Sequence, residues 1–191
     1  MAIKAADVKK LRDATGAGMM DAKKALTEAD GDFDKAVDLL RVAGQAKAAK
    51  RSDREAANGL VVGAGNALVQ IGSETDFVAK NADFVATADK IAKAVDAAKA
   101  DSKDAAAQVQ LDDGKTVAQT LEDLAGTIGE KIELADAAYF EGNTHIYLHR
   151  RSQDLPPQVG VMVEYTGEDT EAVHGVCLPV SYTHLTLPTK R

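Results

Sequence analysis

His145 and His149 stand four apart in the stretch NTHIYLHR. On a strand, positions 145, 147 and 149 share a face, so both imidazoles would flank Tyr147 while Ile146 and Leu148 turn the other way. Two imidazoles are the beginning of a zinc site, but a metal site needs a third ligand at a recognised spacing, and none is near in sequence. A hydrolase built on either histidine would need a nucleophile paired with its base, and no such pair stands out. His174 and the lone thiol Cys177 do not complete either arrangement. GAG at Gly16–Gly18 precedes a helical segment but follows no strand, the order a dinucleotide cradle requires, so a turn between helices explains it better. No Walker-type phosphate loop is present. These residues point away from covalent catalysis, and neither a metal nor a cofactor is expected.

Two features fit binding instead. Met19 and Met20 are adjacent at the start of a helical segment, and neighbouring helix positions cannot both face inward. Exposed methionine suits adaptable protein contact, and loose core filling is the alternative. The other feature is SETDFVAK, Ser73–Lys80, which sets Asp76 beside Phe77 in a chain with four phenylalanines. Asp76 would cap a short helix over FVAK if Phe77 were tucked into a core. Alternatively the ring is a wedge presented to a partner, with the carboxylate beside it. The residues alone leave both readings open.

The elements that must position these residues fall into two textures. Up to about residue 43, three short helices are predicted. The first has Asp7 as cap and Val8 and Leu11 on one face; the second runs from Met19 to a stop at Gly31. The third is capped by Asp32 and carries Phe33, Val37 and Leu40 at i, i+4, i+7. Residues 44–58 hold no apolar side chain larger than Ala and read as a solvated linker, with Lys47, Lys50, Arg51 and Arg54 a modest basic run. From Gly59 the spacing predicts two strands joined through Gly63–Asn66. A helix starting near Asn81 follows, with Phe84, Ala88, Ile91, Val95 and Ala98 on its stripe. After a polar loop over residues 99–114 come a helix bearing Val117, Leu121, Leu124 and Ile128, then strand-like runs KIELADAAYF, NTHIYLHR and QVGVMVEY. GEDTEAVHGV opens another helix. The class is α+β, a small antiparallel sheet with helices on one side.

Composition bounds the partners. The 191 residues are 45% hydrophobic and 28% charged, with net charge −7 and pI about 5.1, so general attraction to nucleic acid is not expected. One cysteine permits no intrachain disulfide, and no stretch has the length of a signal core or a membrane span. A cytoplasmic protein that contacts neither membrane nor nucleic acid directly is the expectation.

TGAGMMDAKKALTEADGDFDKAVDLLR closely resembles the N-terminal module of the bacterial elongation factor Ts family. TDFVAKNADF resembles the same family's core signature, and LHRRSQDLPPQVGVMVEY its later core strands in an actinobacterial style. The resemblance runs over residues 1–178. It implies a ubiquitin-associated-like three-helix module at 1–43, a linker at 44–58, a core N-subdomain at 59–140 and the start of a core C-subdomain at 141–178. It further implies nucleotide exchange on elongation factor Tu, GDP-bound and nucleotide-free, by binding and without covalent chemistry. In that mechanism Thr75, Asp76, Phe77 and Val78 wedge near the partner's magnesium site, Mg²⁺ is dislodged and GDP leaves. Arg12, Met19 and Met20 fall where the family's N-terminal module touches the partner, and His149 aligns with a core contact. A plain ubiquitin-associated-type interaction module with no exchange activity is the alternative; it gives no reason for TDFVAK.

The chain also departs from the family. Gly72-Ser73 stands where an Asn-Cys or Lys-Cys pair is usual, a change expected to affect strand packing more than the wedge. VSYTHLTLPT, Val180–Thr189, resembles a translated sequencing-adapter frame, which implies a non-native tail over 179–191 and a core cut short near Leu178. On that expectation the strands NTHIYLHR and QVGVMVEY lack partners and leave apolar faces exposed.

Overall fold

The computed structural model describes residues 3–49 and 53–183. The chain divides into two units, one made of residues up to Glu55 with Leu121–Lys131, the other of Ala56–Thr120 with the residues from Ile132 onward.

The first unit is helical. Helices α1 (Ala5–Thr15), α2 (Met19–Glu28) and α3 (Phe33–Ala49) enclose a core of Val8, Leu11, Ala22, Ala25, Leu26, Ala29 and Ala36, against which Ile3, Phe33, Val37, Leu39 and Leu40 pack. Helix α1 ends because Gly16 turns left-handed at φ 66° and its N–H closes on the Arg12 carbonyl. Asp7 lies inside the first turn instead of capping; the cap position is Lys4, and Asp7 complements the helix dipole from within. The expected stop after α2 is present, with Gly31 at φ 87° and its N–H on Leu26 O. Asp32 caps α3 by accepting from the Lys35 N–H at 3.0 Å. Helix α3 continues to Ala49, into the stretch expected as linker. The alanines there are strong helix formers, so a stretch without bulky apolar side chains can still be helical. Lys50 and Arg51, and the side chain of Lys47, lie outside what is described.

The second unit carries the sheets. Strands β1 (Asn58–Ala64), β2 (Ala67–Ser73) and β3 (Ile132–Tyr139) form an antiparallel sheet in the order β1-β2-β3, while β4 (Asn143–His149) and β5 (Val159–Tyr165) form a second, two-stranded one. The single sheet expected from sequence is therefore two. β4 and β5 pair with each other over their full length, Asn143 opposite Tyr165 through His149 opposite Val159. They are not left without partners: Val161 is buried, a Cβ on Gly63 would stand 3.0 Å from Ile146 Cγ2, and one on Gly160 would meet Leu68. Antiparallel neighbours close in sequence satisfy one another first.

Helix α4 (Asp76–Ala79) is a single turn, and α5 (Ala82–Ala98) lies on β1 and β2. Phe84, Ala88, Ile91, Ala92 and Val95 form the buried stripe of α5; fully burying Phe84, Ile91 or Val95 contributes about 1.5–3 kcal/mol each. Within the stretch expected as loop, α6 (Lys103–Gln108) forms around buried Ala106. Helix α7 (Val117–Ile128) begins in a reciprocal cap: Thr116 Oγ1 accepts from the Gln119 N–H and Gln119 Oε1 accepts from the Thr116 N–H. At the β1–β2 tip, Asn66 N–H donates to Asp96 Oδ1 at 2.8 Å, and its side-chain amide donates to the carbonyls of Phe140 and Gly142 at 2.9 Å. That amide ties the hairpin to the β3–β4 connection.

Helix α8 (Thr170–Thr183) covers β4 and β5, includes Pro179, and extends past Leu178 into the stretch expected as tail; residues 184–191 lie outside what is described. Its Cys177 is fully buried, and burial pushes the thiol pKa up. A raised folded-state value means the folded chain holds the proton more tightly. The associated stability is therefore present below the ordinary thiol range, about 8.5, and is lost as pH rises through the folded value. At neutral pH a thiol reagent should label native Cys177 at least about a hundredfold more slowly than the urea-unfolded chain. Equal rates would mean α8 is not seated on its sheet.

Candidate functional site

The turn after β2 presents the most exposed aromatic side chain among the described residues. Phe77 is 79% exposed, while Val78 and Ala79, the next two residues, are buried. Thr75 occupies the N-cap position in extended backbone, and Asp76 is the first helical residue, not the cap. The arrangement with Phe77 tucked into the core is thus not the one adopted. A one-turn helix has two sides: Val78 and Ala79 take the inner one and Phe77 takes the outer.

Asp76 stands beside the ring on the same short turn. Its Oδ2 lies 3.9 Å from Lys80 Nζ one turn on, both side chains well exposed. An exposed i, i+4 pair of that length contributes about 0.3–0.5 kcal/mol at most, so the carboxylate is available to a competing partner. The turn is held at both ends. On its C-terminal side the Asn81 N–H donates to Val78 O at 2.9 Å, and Asn81 Oδ1 caps α5 by accepting from the N–H groups of Asp83 and Phe84. On its N-terminal side Ser73 Oγ donates to Thr75 O at 2.9 Å, and Asn58 Nδ2 donates to Glu74 O at 2.8 Å.

The remaining residues singled out from sequence lie elsewhere. Met19 and Met20 open α2 and are 48% and 75% exposed. The reading of that pair as core filler is therefore not the one adopted. Arg12 sits on α1 with its guanidinium 2.8 Å from Asp13 Oδ1, an exposed pair between neighbours. Arg12, Met19 and Met20 belong to the first unit; Thr75–Val78 and His149 belong to the second.

His149 Nδ1 and Tyr147 Oη are 3.1 Å apart on β4. His145 faces a different neighbour: its Nε2 lies 3.1 Å from His174 Nδ1 on α8, with the rings edge to face. Twenty-nine residues separate that pair, and no local spacing could have signalled it. Among the described residues, no group of three or more His, Cys, Asp or Glu side chains is arranged to hold a metal ion, and no helix is long and apolar enough to cross a membrane. The Ser73 and Asn58 contacts also went unread in the sequence. Their only trace was a serine at the end of an apolar strand, just before the TDFV run.

The arrangement is a presenting surface: an apolar ring and a carboxylate held outward by a turn anchored on both sides. Comparison with known proteins gives the family. The family model described as Elongation factor TS matches residues 74–184, a span that contains the turn. The chain is 75% identical over 181 residues to Elongation factor Ts of Cutibacterium acnes, covering 95% of this chain and 67% of that protein. It is 56% identical over 177 residues to Elongation factor Ts of Mycolicibacterium vanbaalenii, covering 93% of this chain and 65% of that protein. With Elongation factor Ts of Nocardioides sp. the identity is 58% over 171 residues, or 89% and 63% of the two chains. The chain spans about two thirds of the length of these curated relatives. With the match extending across both the three-helix unit and the sheets, this chain belongs to the elongation factor Ts family.

Proposed function

We propose that this chain acts in translation elongation as an exchange factor: it promotes GDP release from elongation factor Tu by inserting Phe77, with Asp76 alongside, near the partner's magnesium site. The observation that carries the reading is the exposed ring on a turn whose next two residues are buried. A phenyl ring at 79% exposure offers apolar area that a partner surface can cover, and aromatic side chains are enriched in the cores of such interfaces.

The chemistry asks nothing else of the chain. Mg²⁺ neutralises nucleotide phosphate charge, so displacing it removes much of what holds GDP. An exchange factor needs no base or nucleophile; it needs higher affinity for the nucleotide-free partner than for the GDP-bound one, and every 1.4 kcal/mol of that difference shifts the nucleotide equilibrium about tenfold. Thr75 and Val78 frame the wedge. Arg12, Met19, Met20 and His149 add contacts that hold the partner without doing the displacing. In this reading the protein works in the cytoplasm beside the ribosome's factors, carries no cofactor and makes no direct nucleic-acid contact.

Release of a fluorescent GDP from elongation factor Tu, followed with increasing amounts of this chain, tests the reading. The expected result is a release rate that rises with chain concentration and levels off, and that loses most of its dependence on the chain when excess EDTA has already stripped Mg²⁺. A folded chain that leaves the rate unchanged at every concentration would overturn it.

A further inference from the structure

We propose that Asn58 and Ser73 are positioning residues that set the direction in which Phe77 is presented, an inference that rests on the exchange reading of the 74–79 turn. The two lie directly opposite each other in the β1–β2 register. From there their side chains take hold of successive carbonyls: Asn58 Nδ2 donates to Glu74 O at 2.8 Å and Ser73 Oγ donates to Thr75 O at 2.9 Å. Those are the last two peptide groups before Asp76. Ser73, expected from sequence to act on strand packing, reaches the turn itself.

Four observations make these contacts more than incidental. Helix α4 has four residues; one turn has no stability of its own, so its direction must be imposed from outside. The Thr75 side chain does not cap it, and two side chains of the preceding hairpin hold its N-terminal side. Ser73 is also the one polar residue among the buried ones described, at 0% exposure, and a hydroxyl is kept in such a place only with a partner. Finally, the C-terminal hold through Val78, Ala79 and Asn81 fixes one end of the turn only. A segment pinned at one end would let an exposed phenyl ring swing back onto nearby apolar surface. With carbonyls 74 and 75 also fixed, the backbone torsions entering Asp76 are set and the ring stays outward.

The test uses the full chain and two variants that act on different bonds. Asn58→Asp keeps the shape of a half-buried side chain and replaces the donor with a carboxylate facing the Glu74 carbonyl. Ser73→Ala removes the hydroxyl with little change in volume, and Ser73→Cys restores a weak donor in the same space. Amide hydrogen exchange over residues 74–81 should become about tenfold faster in Asn58→Asp and in Ser73→Ala, with the 60–71 hairpin unchanged and Ser73→Cys in between. In GDP release the maximal acceleration should fall about fivefold while the half-saturating chain concentration changes less than about twofold, because the other contacts still recruit the partner. Unchanged exchange over 74–81 in both variants would overturn the proposal. So would a gain in exchange spread evenly over the whole chain, which marks general destabilisation. If the unaltered chain fails to accelerate GDP release, the exchange reading falls, and the hydrogen-exchange comparison still decides whether these residues fix the turn.

Discussion

Phe77→Ala is expected to abolish most of the acceleration of GDP release while leaving the unfolding midpoint where it was. The two halves of that result come from the same number. Because the ring is 79% exposed in the free chain, truncating it removes little buried area, and such surface changes move stability by about 0.5 kcal/mol or less. On the proposed reading the ring is an aromatic anchor in the complex, and removing one from a well-packed pocket costs about 2–4 kcal/mol, roughly thirtyfold or more in the state that contains it. The loss should appear in the maximal release rate more than in the concentration for half-effect, since the proposed function has the ring displace Mg²⁺ and not recruit the partner. Stopped-flow release with a fluorescent nucleotide and a thermal melt of the same preparation give both readings. A variant with full acceleration would move the displacing role off this turn. A variant with a lowered midpoint would mean the ring has a packing role in the free chain.

That pairing of effects could not be read from the sequence, and the reason is physical. Local signals were legible. The α5 stripe through Phe84, Ala88, Ile91 and Val95, the tight turn at Gly65-Asn66 and the Asp32 cap each depend on a few consecutive residues and are present as expected, whereas Ala98 at the end of the expected stripe is exposed. Where position depends on distant chain, the sequence was silent. Phenylalanine is usually buried, so a local argument could not set aside a tucked Phe77. Its outward direction follows from Val78 and Ala79 taking the inner side of one turn and from Asn58, fifteen positions before Ser73 in the numbering, closing the entry. Helix α6 was missed because KDAAAQ has helix-forming alanines but no apolar stripe long enough to show a period. The split into two sheets was missed because strand runs announce themselves without announcing their partners. His145 and His174 meet only through the docking of α8 on β4.

The hairpin that carries the turn has its own weak point, and Gly59→Ala should expose it. Gly59 sits at φ 126°, a backbone conformation that L side chains rarely adopt and that costs about 1–3 kcal/mol for a residue with a Cβ. Space adds to that cost. A Cβ there would run into the carbonyl oxygen of Ile71 and stand 2.9 Å from Gly72 Cα, and both obstacles are backbone of the paired strand, with no flexible end to bend away. Relief requires β1 to lift off β2, which uncovers Leu60 and Val61, both buried next in line. The total expected loss is about 3 kcal/mol or more, a large share of the 5–15 kcal/mol typical of a folded domain, read as a lowered urea midpoint. Gly114 is the matched control: its φ is 79° but nothing lies within 4 Å of a Cβ built there, so Gly114→Ala carries the conformational cost without the collision. The two midpoints should therefore differ, with Gly59→Ala much the lower. Gly59 also stands next to Asn58, so lifting β1 withdraws the amide from the Glu74 carbonyl. Exchange activity should then fall together with stability, whereas Phe77→Ala loses activity alone; that contrast separates damage to the support from damage to the wedge. Equal midpoints for the two glycine variants would mean that the strand is free to move at Gly59, and that the hairpin holds the turn less firmly than its register requires.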